Sequence, residues 1–202
     1  MLDSSQHDFR TTELDPDLLS TPFRVQTNWH VITGAVSSGK TTLIDQLADK
    51  GFQTAPEAGR QYIEREMATG RTIAEIRGNE ADSRCITDRQ LRIEHGLQAL
   101  DVVFLDRAFP DSLAFYRFDG LNPNKILAEC FQHRYASIFI LDRLPVHQDG
   151  LRIEDDAAAR FLDEWLARDY SALGYSFVRV PVLSIEDRLA FIFERLSEQG
   201  LI

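Results

Sequence analysis

From Trp29 onward, short and nearly continuous apolar runs alternate with longer stretches of helical periodicity. The runs are His30–Thr33, Phe52–Pro56, Asp101–Asp106, Ser137–Leu141 and Tyr175–Pro181. Unbroken apolar character is what a parallel strand needs when helices cover both of its faces. With a helical pattern after each run, the order is βαβα, which predicts an α/β fold built on a parallel sheet. One helix is announced by Glu154, Asp155 and Asp156, acids suited to the positive end of a helix dipole. Its stripe of Ala158, Phe161, Leu162, Trp165, Leu166 and Leu173 runs to a stop at Gly174. A later one starts at Ser184-Ile185-Glu186-Asp187 and carries Leu189, Ile192, Phe193 and Leu196 at helical spacing. Both stripes are read as core.

Before Trp29 the pattern is polar and acidic, interrupted by Pro16 and Pro22. Residues 1–28 are therefore expected to form a mostly irregular extension and 29–202 the folded domain. The alternation of Phe23, Val25 and Thr27 suggests a short edge strand.

Composition narrows the class. The 202 residues, 44% hydrophobic and 27% charged, suffice for one domain with a full core. A net charge of −10 opposes broad contact with polyanions, so neither nucleic acid nor an anionic membrane is expected as a partner. No run approaches the roughly 18 apolar residues of a membrane span. The acidic N-terminus lacks the apolar segment of a secretory signal. Cys85 and Cys130 lie far apart, which fits a reducing compartment. A cytoplasmic location is expected, and no zinc-type Cys/His spacing occurs.

The chemistry enters at Gly34-Ala35-Val36-Ser37-Ser38-Gly39-Lys40-Thr41, a Gly-x4-Gly-Lys-Thr loop between a strand and the helix face Leu43, Ile44, Leu47. Gly34 and Gly39 permit backbone angles that a Cβ forbids, so successive N–H groups can turn inward. Those groups and the helix N-terminus cradle α- and β-phosphates. Lys40 reaches the β- and γ-phosphates and is expected to have no packing duty. Thr41 is placed to ligate Mg²⁺, and Thr42 to contact the α-phosphate.

Further candidates sit at strand ends, where a parallel sheet opens its ligand crevice. Asp106 closes the third strand and is a candidate for Mg²⁺ or for an acceptor proton; its alternative is an acid capping Ser112 or a helix end. Arg107 stands where motor-type ATPases place a water-polarising glutamate. Glu57 can accept from a substrate hydroxyl and Arg60 can hold a phosphate, or the two form a surface pair. A guanine-reading motif would need Asp after Asn124-Lys125-Ile126, where Leu127 stands, so ATP is the expected donor. The polar stretch from Arg143 to Arg152, with Pro145 and Gly150, suits a lid whose arginines close on the transferred phosphate, or a solvated loop.

The order and spacing of several segments resemble the NadR-type AAA/ATPase domain family, related to ribosylnicotinamide kinases. The segments are the loop through Thr42, Pro56-Glu57-Ala58-Gly59-Arg60, Ile86 with Gln90, and Leu105-Asp106-Arg107-Ala108. Asp149-Gly150-Leu151-Arg152, Tyr170-x-x-Leu173-Gly174-Tyr175 and Val180-Pro181 complete the set. The resemblance covers about residues 29–198. It implies a three-layer αβα P-loop NTPase with strand order 2-3-1-4-5, ATP–Mg²⁺ at the loop, and an acceptor pocket near Glu57, Arg60 and Asp106. Ribosylnicotinamide kinases carry Asp-Thr where this chain has Asp106-Arg107, a departure that bears on the nicotinamide riboside substrate and leaves the implied phosphoryl transfer untouched. The expected activity is an ATP-dependent kinase acting on a nucleoside-like or phosphorylated acceptor. A nucleotide-dependent switch ATPase with a protein partner is the alternative.

Overall fold

The computed structural model describes residues 8–36, 38–143 and 153–201. Five parallel strands form the central sheet: β2 (Trp29–Thr33), β3 (Gln53–Ala55), β4 (Val103–Asp106), β6 (Ser137–Leu141) and β7 (Val178–Val180). Their spatial order is β3-β4-β2-β6-β7. Numbered among these strands alone, that is 2-3-1-4-5, as expected. The register pairs Val31 of β2 with Leu105 on one side and Ile138 on the other. Every apolar run coincides with a strand: β2 starts one residue before its run, β6 matches its run, and β3, β4 and β7 are shorter than theirs.

Alternation along the strands divides the core in two, since successive side chains point to opposite faces. Trp29, Val31, Leu105, Ile138 and Ile140 face a cluster with α6 (Asp111–Phe118) and α7 (Ile153–Ala172). Ile32, Phe104, Phe139, Leu141 and Val180 face α2 (Lys40–Asp49) and α8 (Ile185–Glu198). Each buried Leu, Ile or Phe contributes about 1.5–3 kcal/mol of transfer free energy. The same alternation sends Thr33 toward the α6 face and Asp106 toward α2. His30 is buried on the α2 side with Nδ1 2.8 Å from Ser137 Oγ, and burial lowers its pKa to about 4.

The remaining helices, α3 (Ala58–Ala68), α4 (Ile73–Ile76) and α5 (Glu80–His95), form a wall beside the C-terminal strand ends. Asp82 ties them together: it accepts from Tyr62 Oη at 2.5 Å and from Arg71 at 2.6 and 2.8 Å. Thr72 and Glu75 close a reciprocal capping box on α4. No helix among the described residues is long and apolar enough to cross a membrane.

The chain before Trp29 carries a short helix α1 (Pro16–Leu19), capped by the Asp15 side chain. The Val25 region does form a strand, but not at an edge of the main sheet. β1 (Val25–Gln26) pairs in parallel with β5 (His133–Arg134) in a separate two-stranded sheet. The Arg134 guanidinium, 4.8 Å from the Phe23 ring and 4.6 Å from that of Tyr175, supports this arrangement.

Candidate active site

The loop after β2 lies at the middle of the sheet, outside the strand ends, where α/β sheets bind ligands. Gly34 has φ +142°, and a Cβ there would stand 2.7 Å from the Leu141 carbonyl oxygen. No side chain fits that approach. Gly39, at φ +87°, is the N-cap of α2 and supplies no side-chain cap, which leaves backbone N–H groups to serve an anion.

Lys40 opens α2 and is buried. Its Nζ donates to Gly34 O at 3.0 Å, Ala35 O at 2.8 Å and Ser38 Oγ at 3.2 Å. The expectation that this side chain has no packing duty is therefore corrected: it also braces its own loop. Burial lowers its pKa, Arg107 acts in the same direction, and Glu57, Asp106 and Asp111 oppose.

Asp106, at the end of β4, is 4% exposed, and its Oδ1 has no hydrogen-bond partner among the described residues. Burial, reinforced by the charge of Glu57, raises its pKa to about 6 against the pull of Arg107 and Lys40. A buried carboxylate oxygen without a donor costs free energy that a cation or a ligand proton would recover. Asp106 does not cap Ser112 or a helix. The buried Asp111 is the structural acid instead. It accepts from Thr33 Oγ1, from Arg107 at 3.2 Å, from Ala108 N at 3.2 Å and from Tyr170 Oη at 2.5 Å.

Arg107 adopts a left-handed backbone, φ +68°, unusual for a residue with a Cβ. Its N–H remains paired to Ile32 O at 3.1 Å. The guanidinium is held by Glu57 Oε1 at 3.1 Å and Asp111, over the Phe115 ring at 4.9 Å. Glu57 thus pairs with Arg107, not with Arg60. Arg60 reaches across from α3 to donate to Thr41 Oγ1 at 3.1 Å.

Lys40, Thr41, Glu57, Arg60, Arg107 and Asp111 open on one cavity of about 600 Å³, whereas Asp106 is not among its walls. Val36, Ser38, Gly39, Lys40, Thr41 and Thr42 line one end. The other end lies among α3, α4, α5 and α6, with Ile63, Ile86, Phe115 and Tyr116 as apolar walls. Glu57, Arg60, Arg107, Asp111 and Gln90 also line it. Gln90 Nε2 donates to Glu94 Oε1 at 2.9 Å, and that carboxylate also accepts from Phe109 N and Tyr135 Oη, both at 2.8 Å. A carboxylate accepts only, so the Gln90 amide orientation is set and its Oε1 is left as an acceptor.

The sequence pattern pointed to the loop, Glu57, Arg60, Asp106 and Arg107, and the structure brings them together. Arg143 is not among the cavity walls; it bonds to Asp156 in α7, an acid it shares with Arg160. Ser37 and the stretch 144–152, including Arg152, lie outside the described residues. Sequence reasoning missed Asp111, the Gln90–Glu94 pair and Arg188. The signal for the last was a cation inside the apolar stripe of α8, beside Leu189 and Ile192.

A profile of the AAA domain family matches residues 29–188. No curated protein sequence matches the chain. Among solved structures, NadR protein in complex with NR is similar at a TM-score of 0.59 and 21% identity, over 76% of this chain and 45% of that one. Thymidylate kinase from Candida albicans is similar at 0.51 and 12% identity, over 87% and 93%. Deoxyadenosine kinase from M. mycoides is similar at 0.51 and 14%, over 84% and 98%. The chain spans about half the length of the NadR chain, at 45%. At such identities the likeness establishes the fold, that of the P-loop kinases. With the family profile covering most of its length, the chain belongs to the AAA domain family and has the P-loop NTPase fold.

Proposed function

We propose that this chain is an ATP-dependent small-molecule kinase, transferring the γ-phosphoryl of ATP–Mg²⁺ to a nucleoside-like or phosphorylated acceptor. The observation that carries the reading is the continuous cavity, with a phosphate loop at one end and an apolar-walled compartment at the other. Donor and acceptor held in one cavity react as an effectively unimolecular pair.

In this reading the N–H groups of residues 34–42 and Lys40 hold the nucleotide phosphates. Thr41 Oγ1 and Asp106 hold Mg²⁺, which supplies charge neutralisation at the β- and γ-phosphates. The unpartnered Oδ1 of Asp106 fits a cation, and Arg60 leaves Thr41 to bind a phosphate. The acceptor oxygen forms a bond to the γ-phosphorus while the bond to the bridging oxygen breaks, leaving ADP. The hydroxyl proton passes to Glu57 or Asp106. Arg107, fixed between Glu57 and Asp111, keeps positive charge beside the acceptor. Arg143 and Arg152 act as lid residues that stabilise charge on closure, once Arg143 leaves Asp156. Gln90 Oε1 offers an acceptor to a donor group on the small molecule. The protein works in the cytoplasm, without nucleic acid or membrane.

The test is ADP release from ATP–Mg²⁺ across a panel of nucleosides, nucleotides and sugar phosphates. Stimulation well above the acceptor-free rate by one chemical class supports the reading. A flat panel sinks it, and nucleotide-dependent capture of a protein partner would then favour the switch.

A further inference from the structure

Behind the phosphate loop stands a charged side chain that the proposed reaction does not use. Arg188 lies on the inward stripe of α8 and is 1% exposed. Its Nη1 donates to the Ser38 carbonyl oxygen at 2.7 Å. Its Nε and Nη2 are buried with no hydrogen-bond partner among the described residues. A Cβ at Gly39 would sit 3.3 Å from Nη1, a tight contact that the glycine relieves. Gly39 therefore supplies its positive φ and eases the approach of the guanidinium.

A buried cation with unmet donors is unfavourable and is found where something compensates it. A methionine or leucine would fill this place in the α8 stripe without that cost. The peptide geometry suggests what the arginine provides instead. In a planar trans peptide the C=O and the following N–H point in opposite directions. Fixing the Ser38 carbonyl on the α8 side turns the Gly39 N–H away from α8, toward the cavity that Ser38, Gly39, Lys40 and Thr41 line. A donor already aimed where an anion binds needs no reorganisation when the anion arrives.

We propose that Arg188 is a positioning residue for the polyphosphate of the nucleotide, acting through the Ser38 carbonyl to hold the Gly39 N–H in its anion-binding direction and adding a buried positive charge behind the loop. The proposal rests on the loop binding a nucleotide, and the probe separates the two. Inorganic tripolyphosphate carries the charge without base or ribose, so its affinity reads the loop alone. The wild-type protein binds it; if it does not, the nucleotide-site reading falls first.

The variants are Arg188→Gln and Arg188→Lys, measured by calorimetric titration and by thermal unfolding without ligand. The expected order of affinity is wild type, Arg188→Lys, Arg188→Gln, with a loss of about tenfold or more in the last. The ligand-free melting temperature of Arg188→Gln stays equal or rises, because unmet buried donors are removed. At saturating ATP, kcat remains within a few-fold while the KM for ATP rises. Equal tripolyphosphate affinity in all three proteins overturns the proposal, and so does a lowered melting temperature with unchanged affinity, the mark of a packing role. If Arg188→Gln does not fold, Arg188→Lys decides. It keeps the charge but not the planar fork, so a several-fold loss supports the proposal and wild-type affinity refutes it.

Discussion

Asp106 and Asp111 are both buried, at the end of β4 and the start of α6, yet their surroundings treat them oppositely. Four donors from β2, α7 and the intervening turn converge on Asp111. Asp106 keeps an oxygen with no donor, and the nearby Lys40 turns to carbonyls of its own loop. The contrast extends over the molecule. On the α6–α7 side, Arg117 bonds Asp169 at 2.6 Å and Thr12 O at 2.8 Å and lies over Trp165, one Nη remaining unpartnered. On the phosphate-loop side, Asp106 and Arg188 are left with unmet polar atoms. Buried charge holds the scaffold together in the first region. In the second its polar atoms are left unmet, which the proposed function reads as readiness for a nucleotide.

The largest expected effect comes from disrupting the satisfied side. Asp111→Ala leaves the buried Arg107 with Glu57 as its one carboxylate partner and strands the Tyr170 hydroxyl, which should cost about 3–5 kcal/mol. Differential scanning fluorimetry should show a melting temperature lowered by roughly 10 °C. A shift under about 2 °C would remove Asp111 from the scaffold.

Asp106→Asn should do the reverse. It removes a buried charge with little change in shape, so the ligand-free protein should melt a few degrees higher. Phosphoryl transfer should fall by about two orders of magnitude or more, roughly 3 kcal/mol in the barrier. Activity retained within a few-fold would make Glu57 the leading acid.

Acidity gives a finer handle on the same carboxyl. Asp106 has its folded pKa raised from the ordinary value of 3.8 to about 6. The stability it contributes is present below its unfolded pKa and is lost as pH rises through about 6. Asp119, raised to about 6 by burial, titrates in the same window but is common to wild type and variant. The stability advantage of Asp106→Asn should therefore grow by roughly 3 kcal/mol between about pH 4 and 6 and level off above, read as a rising melting temperature. An advantage independent of pH would contradict the burial of an ionised Asp106.

The smallest effect on stability is expected at Arg60→Ala, since an exposed polar contact contributes well under about 1 kcal/mol. Its KM for acceptor or ATP should nonetheless rise several-fold. Unchanged kinetics would leave Arg60 as a surface partner of Thr41 only.

What the sequence made legible follows from how local each signal is. The strands and the phosphate loop were readable because apolar runs and the Gly34, Gly39, Lys40 spacing are properties of contiguous residues, whereas the strand order came only through the family resemblance. The pairing of Glu57 with Arg107 was not, because it depends on which strand ends become neighbours. β1 was expected at an edge of the main sheet, yet its partner is β5, far along the chain. Asp111 carried no local signal, since its partners Thr33 and Tyr170 are remote in sequence. Arg188 left a visible trace, a cation within an apolar stripe, whose meaning needed the Ser38 carbonyl beside it.

Whether one cavity joins donor and acceptor is tested most directly by the fate of the γ-phosphoryl group. ATP labelled in that group would be incubated with Mg²⁺, wild-type protein and any acceptor class that stimulates ADP release, then sampled within a single turnover. Direct transfer predicts label in the acceptor, little in inorganic phosphate, and neither product formed at a comparable rate by Asp106→Asn. Label appearing only as inorganic phosphate, at one rate with and without acceptor, would contradict it.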